Sequence, residues 1–230
     1  MAEIREQKDA VIFLVDMHPS MLQPNQHNGD TKECNAAQVL RAALSFIKTK
    51  IITAESDRLA IILYGQNADD ISKRVEVLYA LDQPDATLIK DLESRILALG
   101  YSEEPSSLIG ADLKTDQRVP LNEALWACQQ ELRAIEKESF AKRLFIFTDC
   151  DSPVDEDDRE LSETRASDLA ALEVNIELFP LPASDQLEPS FAIRKFFANL
   201  ITFDEDDIAD GVLDVEAATL KLNELSERIR

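Results

Sequence analysis

The chain has 230 residues, 45% hydrophobic and 30% charged, and 24 Lys and Arg stand against 45 Asp and Glu for a formal net charge of −21. That is enough chain for one large α/β domain with a core that needs no disulfide staples, and a field so negative excludes a stand-alone grip on phosphate backbones. No apolar run approaches the ~20 residues of a membrane-spanning helix and the N-terminus lacks a signal-peptide core, so a membrane role is not expected.

Residues 1–9 are polar and are expected to be a loose lead-in. Val11-Ile12-Phe13-Leu14-Val15 is a run that alternation cannot explain, the mark of a central parallel strand buried on both faces. It ends on Asp16, and Pro19 and Ser20 break it. A loop from Leu22 to Lys32 follows. Ala36, Val39, Leu40, Ala43, Phe46, Ile47 and Ile51 then recur at helical spacing. Arg58 to Tyr64 is a second buried strand, closed by Gly65, and Val75 to Tyr79 alternates as an edge strand, in an antiparallel sense.

A helix is expected over about 86–97 and a long surface loop over 100–118. Pro120 stands at the first position of a helix with a buried stripe of Leu121, Ala124, Leu125, Cys128, Leu132 and Ile135, ending near Glu138. Trp126 lies beside that stripe and is read as packing. Residues 143–148 form a strand, and a helix over about 158–172 is expected to bury Leu161, Leu169 and Leu172, with Arg159, Glu163 and Ala166 or Ser167 outward. A strand over Val174 to Pro180, a helix over about 190–200, an acidic run at 204–207 and an amphipathic helix over 213–228 complete the chain. No repeat or linker divides it, so residues 1–230 are expected to be a single domain.

The two central strands share a design. Lys142-Arg143-Leu144-Phe145-Ile146-Phe147-Thr148-Asp149 repeats the basic start, apolar run and terminal Asp of the first. In open α/β sheets ligands sit beyond the carboxyl ends of strands, so Asp16 and Asp149 are expected to share a crevice. The pair of rim signatures, Asp16-x-His18-x-Ser20 and Asp149, resembles the von Willebrand factor A domain, whose metal site uses Asp-x-Ser-x-Ser, a middle-loop Thr and a later strand-end Asp. The resemblance implies a mostly parallel central sheet with helices on both faces, a Rossmann-like α/β fold. His18 departs from the pattern, and the middle-loop Thr falls at Val119 or Pro120, neither of which has a side-chain oxygen. The site Asp16, His18, Ser20 and Asp149 is therefore expected to be degenerate, with no metal and no cofactor.

Further blocks narrow the resemblance. Leu63-Tyr64-Gly65, Leu81-Asp82-Gln83-Pro84, Asn122-Glu123-Ala124-Leu125-Trp126-Ala127-Cys128 and Arg143 to Thr148 together resemble the smaller subunit of the Ku heterodimer. That resemblance implies a nuclear protein, present at telomeres as well, that binds broken DNA ends together with the larger Ku subunit and recruits non-homologous end-joining factors. The DNA-encircling β-barrel lies outside this chain, which then acts as a platform for the larger subunit and for end-joining and telomere proteins, meeting DNA ends only through the full heterodimer. An outward helix at the position of 158–172 is tied in that family to end joining, which makes Arg159, Glu163 and Ser167 candidate partner residues.

Enzymatic readings find little support in the sequence. The family is credited with ATP-dependent helicase activity, yet no Gly-x-x-x-x-Gly-Lys-Ser/Thr is present; a Gly-x-Gly-x-x-Gly is absent too. Lys8 is the one lysine near the N-terminus where a lyase attributed to the family needs one, but no motif carries that role. His18 and His27, the two histidines, have no Ser or Cys motif beside them. Cys34, Cys128 and Cys150 are widely spaced and read as intracellular thiols, not as a disulfide frame or a zinc site. Two readings stand: a Ku scaffold, and an adhesion-type von Willebrand A domain that binds an acidic ligand through magnesium.

Overall fold

The computed structural model describes residues 8–27, 33–65, 70–101, 118–135, 140–152, 154–184, 190–201, 208–209, 212–213, 221–222 and 224. At its centre lies a five-stranded sheet in the order β3-β2-β1-β4-β5, with β1 Lys8–Asp16, β2 Arg58–Tyr64, β3 Val75–Asp82, β4 Phe140–Thr148 and β5 Val174–Pro180. β1, β2, β4 and β5 run parallel, and β3 is antiparallel on the β2 edge. The apolar runs of β1, β2 and β4 are buried on both faces because helices cover both. β3, with one neighbour, is mostly half-exposed.

Side-chain alternation splits the core in two. Val11, Phe13, Val15 and Met17 face α1 (Asn35–Thr53) and α2 (Ala86–Tyr101). Ala10, Ile12 and Leu14 face α3 (Leu121–Arg133) and α4 (Glu156–Ala171), a side closed by Phe191, Phe196 and Phe197. On the first face an aromatic ladder crosses three strands: Phe13 stacks on Phe147 at 5.8 Å, and Phe147 on Phe179 at 4.8 Å. Leu222 is fully buried in this first core.

Several expectations from the sequence need correction. β1 begins at Lys8, inside the expected lead-in, because Lys8 and Asp9 already pair with Phe140 and Ala141 of β4. α2 continues to Tyr101, past 97. α3 stops at Arg133, short of Glu138, although all six residues of its stripe are buried. Residues 190–200 form two short 3-10 turns, Ile193–Lys195 and Phe197–Asn199, in place of a helix. The inward side of α4 is Asp158, Ser162, Ala166 and Leu169, so Leu161 is exposed and Ala166 is not. A helix whose buried positions include Asp and Ser hides its period from hydrophobicity. Trp126 is 41% exposed, flanked by the guanidinium groups of Arg165 at 4.3 Å and Arg133 at 5.6 Å. The expected loop over 100–118 and the acidic run at 204–207 lie almost wholly outside the described residues, as does most of the expected helix over 213–228.

Candidate functional site

The strand order places the site. From β1 the chain crosses to β2 on one side and later to β4 on the other, so the carboxyl ends of β1 and β4 bound the point where the order reverses. Asp16 ends β1 and Thr148 ends β4, with Asp149 next in the chain. The two acids share one crevice, as their positions at strand ends require.

Each oxygen of Asp16 is occupied. Oδ1 accepts the His18 amide at 2.9 Å, and Oδ2 accepts the Thr148 hydroxyl at 2.7 Å and Arg118 Nη1 at 3.1 Å. Gly65 makes room for this carboxylate: its φ is +92°, and a Cβ there would stand 3.0 Å from Asp16 Oδ1 and 3.0 Å from the His18 amide. His18 begins a 3-10 turn, Pro19–Leu22, and its ring turns back on that turn. Nδ1 accepts the Ser20 amide at 3.3 Å and lies 3.0 Å from the Ser20 hydroxyl. His18 thus orients Ser20 in the crevice.

Arg118 joins these parts. Its Nη2 donates to Ser20 Oγ at 3.2 Å and to Asp149 Oδ1 at 3.2 Å, while Nη1 holds Asp16. The Arg118 side chain is 29% exposed, against 4% for Asp16 and 1% for Asp149. Burial, and then the charge of Asp16, pushes the Asp149 carboxyl above the usual range, with Arg118 opposing them. Burial disfavours the charge on Arg118 as well, but Asp16 and Asp149 outweigh it and raise its pKa. Tyr64, buried beside Asp16, is raised by the same two causes, burial first.

A divalent ion does not fit this arrangement, since both carboxylates and the serine hydroxyl already share one cation. Among the described residues no group of three or more His, Cys, Asp and Glu is placed to hold a metal. The cleft at this rim, lined by Asp16, His18, Arg118, Thr148 and Cys150, has a cavity of about 30 Å³. That is room enough for a water molecule.

Sequence reasoning found Asp16, His18, Ser20 and Asp149 but missed Arg118. The family pattern pointed to positions 119 and 120, where Val119 is buried and Pro120 precedes α3. The only signal was a basic residue next to the expected middle-loop position.

The candidate partner residues lie on α4, whose buried start at Asp158 lines this cleft. Ser167 is exposed. Arg159 and Glu163 are committed within the chain: Arg159 donates to the Lys195 carbonyl at 2.6 Å and lies 5.8 Å from the Phe196 ring, and Asn199 donates to Glu163 at 2.8 Å. Another acid near the rim, Asp151, accepts from Lys195 at 2.8 Å and from the Ala192 amide at 3.2 Å.

Comparison with known proteins places this arrangement in a family. Residues 10–230 match the Ku70/Ku80 N-terminal alpha/beta domain. The chain belongs to that family. It is 29% identical over 221 residues to the ATP-dependent DNA helicase ku70 of Dictyostelium discoideum, an alignment covering 88% of this chain and 23% of that protein. It is 28% identical over 229 residues to X-ray repair cross-complementing protein 6 of Mus musculus, covering 97% of this chain and 35% of that one. The chain therefore spans roughly a quarter to a third of the length of these curated relatives. Among solved structures, the TFIIH p34 N-terminal domain matches with a TM-score of 0.57 at 18% identity, covering 94% of this chain and 95% of that one. The SpRpn10 VWA domain matches with a TM-score of 0.54 at 16% identity, covering 86% and 84%. These likenesses bear out the von Willebrand A fold.

Proposed function

We propose that this chain is the peripheral interaction platform of a Ku subunit that acts in double-strand-break repair by non-homologous end joining. In this reading it works in the nucleus, at telomeres as well as at breaks, in a heterodimer with the larger Ku subunit, and it does not itself grip DNA. The observation that carries the proposal is the match to the Ku N-terminal domain over residues 10–230, joined to relatives that share the Ku70 name. The charge agrees: a module of net charge −21 gains nothing from counterion release on a duplex. The lack of a phosphate-binding loop weighs against ATP-driven chemistry in this domain. Arg118, bonded to both rim acids, weighs against the adhesion-type alternative.

The face of α4 that supports partner binding in this reading runs through Glu160, Leu161, Thr164 and Ser167, all exposed. Arg159 and Glu163 secure its margin to residues 195–199.

Two experiments test the proposal. The tagged chain, incubated with nuclease-treated nuclear extract, is expected to retain the larger Ku subunit, and failure to do so counts against the heterodimer. In a gel shift with blunt duplex at low salt the chain alone is expected to leave the DNA unshifted. Nanomolar binding there overturns the platform reading.

A further inference from the structure

Asp16, Ser20 and Asp149 are three oxygen donors brought together from β1, the turn after it and the end of β4. Such a set normally needs a positive charge at its centre, because two carboxylates nearly closed to solvent repel one another and lose their hydration. Here one guanidinium touches all three at 3.1–3.2 Å. It arrives from residue 118, three positions before the first residue of α3, so it also ties that helix entrance to the other two segments.

We infer that Arg118 is a resident cation: its guanidinium stands in for a divalent ion between Asp16, Ser20 and Asp149 and makes the sheet rim indifferent to magnesium and manganese. The inference concerns this rim alone and does not depend on which partner the domain has. Three features carry it. The contacts of Arg118 go to both carboxylates and to the hydroxyl, not to one surface acid in passing. The local concentration of a tethered cation is set by the chain and not by the medium, so a free ion must compete with a charge that never diffuses away. Finally, the His18 ring is held by the amide and hydroxyl of Ser20, which keeps that hydroxyl beside the guanidinium.

One detail shows how tightly the charge balance is drawn. Asp149 Oδ2 is buried and has no hydrogen-bond partner, so Arg118 satisfies this carboxylate through one oxygen only. Removing Arg118 leaves two buried acids facing each other with no cation. The rim then needs a proton, an ion or a neutral substitute.

The test compares the unaltered chain, Arg118→Ala and Arg118→Ala with Asp149→Asn by thermal melts in EDTA and in 10 mM MgCl2 or MnCl2. The unaltered chain is expected to melt at one temperature in all three media. Arg118→Ala is expected to melt about 6–12 °C lower in EDTA, the loss of one partner from a buried ion pair in a domain of this size. Manganese is expected to restore part of that loss in a dose-dependent way. Arg118→Ala combined with Asp149→Asn is expected to regain about half of the loss or more in EDTA and to lose the manganese response. If Arg118→Ala does not fold in EDTA, recovery of a folded chain in the double variant supports the resident cation, and a double variant equally unfolded overturns it. A clear rise of the unaltered chain with manganese overturns it too, as does a folded Arg118→Ala that neither loses stability nor responds to the ion.

Discussion

Single carboxylates do much of the positioning in this domain, and Asp158, which lines the same cleft, is the clearest case besides the two rim acids. Pro120 precedes α3 and offers no side-chain cap, so the first amides of that helix need an acceptor from elsewhere. Asp158, buried at the start of α4, supplies it. Its Oδ1 accepts from the Asn122 amide at 3.1 Å, the Asn122 side chain at 3.0 Å and the Ser162 hydroxyl at 3.1 Å, and its Oδ2 from the amides of Leu121 and Val154 at 3.3 and 3.2 Å. The negative charge also sits at the positive end of the α3 dipole. Asp158→Ala is expected to lower stability by about 2–3 kcal/mol, read from the urea midpoint, with Asp158→Asn losing less. The sequence marked Asp16 and Asp149 because a strand-end acid needs only local pattern to be seen. Arg118 lies 102 residues from Asp16 and 31 from Asp149, and apart from its place beside the expected middle-loop position nothing local announces the encounter. Asp158 was hidden for the same reason, since its partners Leu121 and Asn122 lie 37 and 36 residues away in the chain.

At the scale of elements, α4 shows why hydrophobic periodicity misleads. Its inward stripe holds Asp158 and Ser162 along with Ala166 and Leu169, while Leu161 is 49% exposed. The apolar and polar residues have nearly exchanged faces in its first half. β1, β2, β4 and α1 were legible because their burial is mostly hydrophobic. The turns at 193–199 were not, because Phe191, Phe196 and Phe197 pack as a cluster without a helix to space them. Leu161→Glu is expected to change the melting free energy by less than about 0.5 kcal/mol, as for an ordinary surface site. Arg159→Glu is expected to cost about 1–2 kcal/mol, because it removes the donor to the Lys195 carbonyl and faces Glu156 with a like charge. If Leu161→Glu impairs plasmid rejoining while Arg159→Glu acts only in proportion to lost stability, the partner face is the outer one. The reverse pattern returns Arg159 to direct contact.

For the whole molecule, the sheet is fastened at both ends by charge. Opposite the Arg118 rim, Lys50 at the end of α1 bridges Asp9 at 2.6 Å and Asp57 at 2.7 Å, and Asp57 also accepts the Asp9 amide at 2.8 Å. Burial works to lower the Lys50 pKa, but hydrogen bonds to Asp57 and Asp9 prevail and raise it above 10.5. A lysine raised on folding stabilises the fold below its unfolded pKa and ceases to do so as pH climbs through the folded value. Lys50→Met is therefore expected to cost about 1.5–3 kcal/mol at pH 7, with the gap to the unaltered chain narrowing only above about pH 10.5 in urea titrations. The order β3-β2-β1-β4-β5 has a consequence in time. β1 and β4 sit in the middle, locked by the phenylalanine ladder, whereas β3 hangs on one antiparallel neighbour with irregular register and half-open side chains. Amide deuteration should thus proceed as a gradient across the sheet, with β3 exchanging first through local opening and β1 and β4 only when the whole domain lets go.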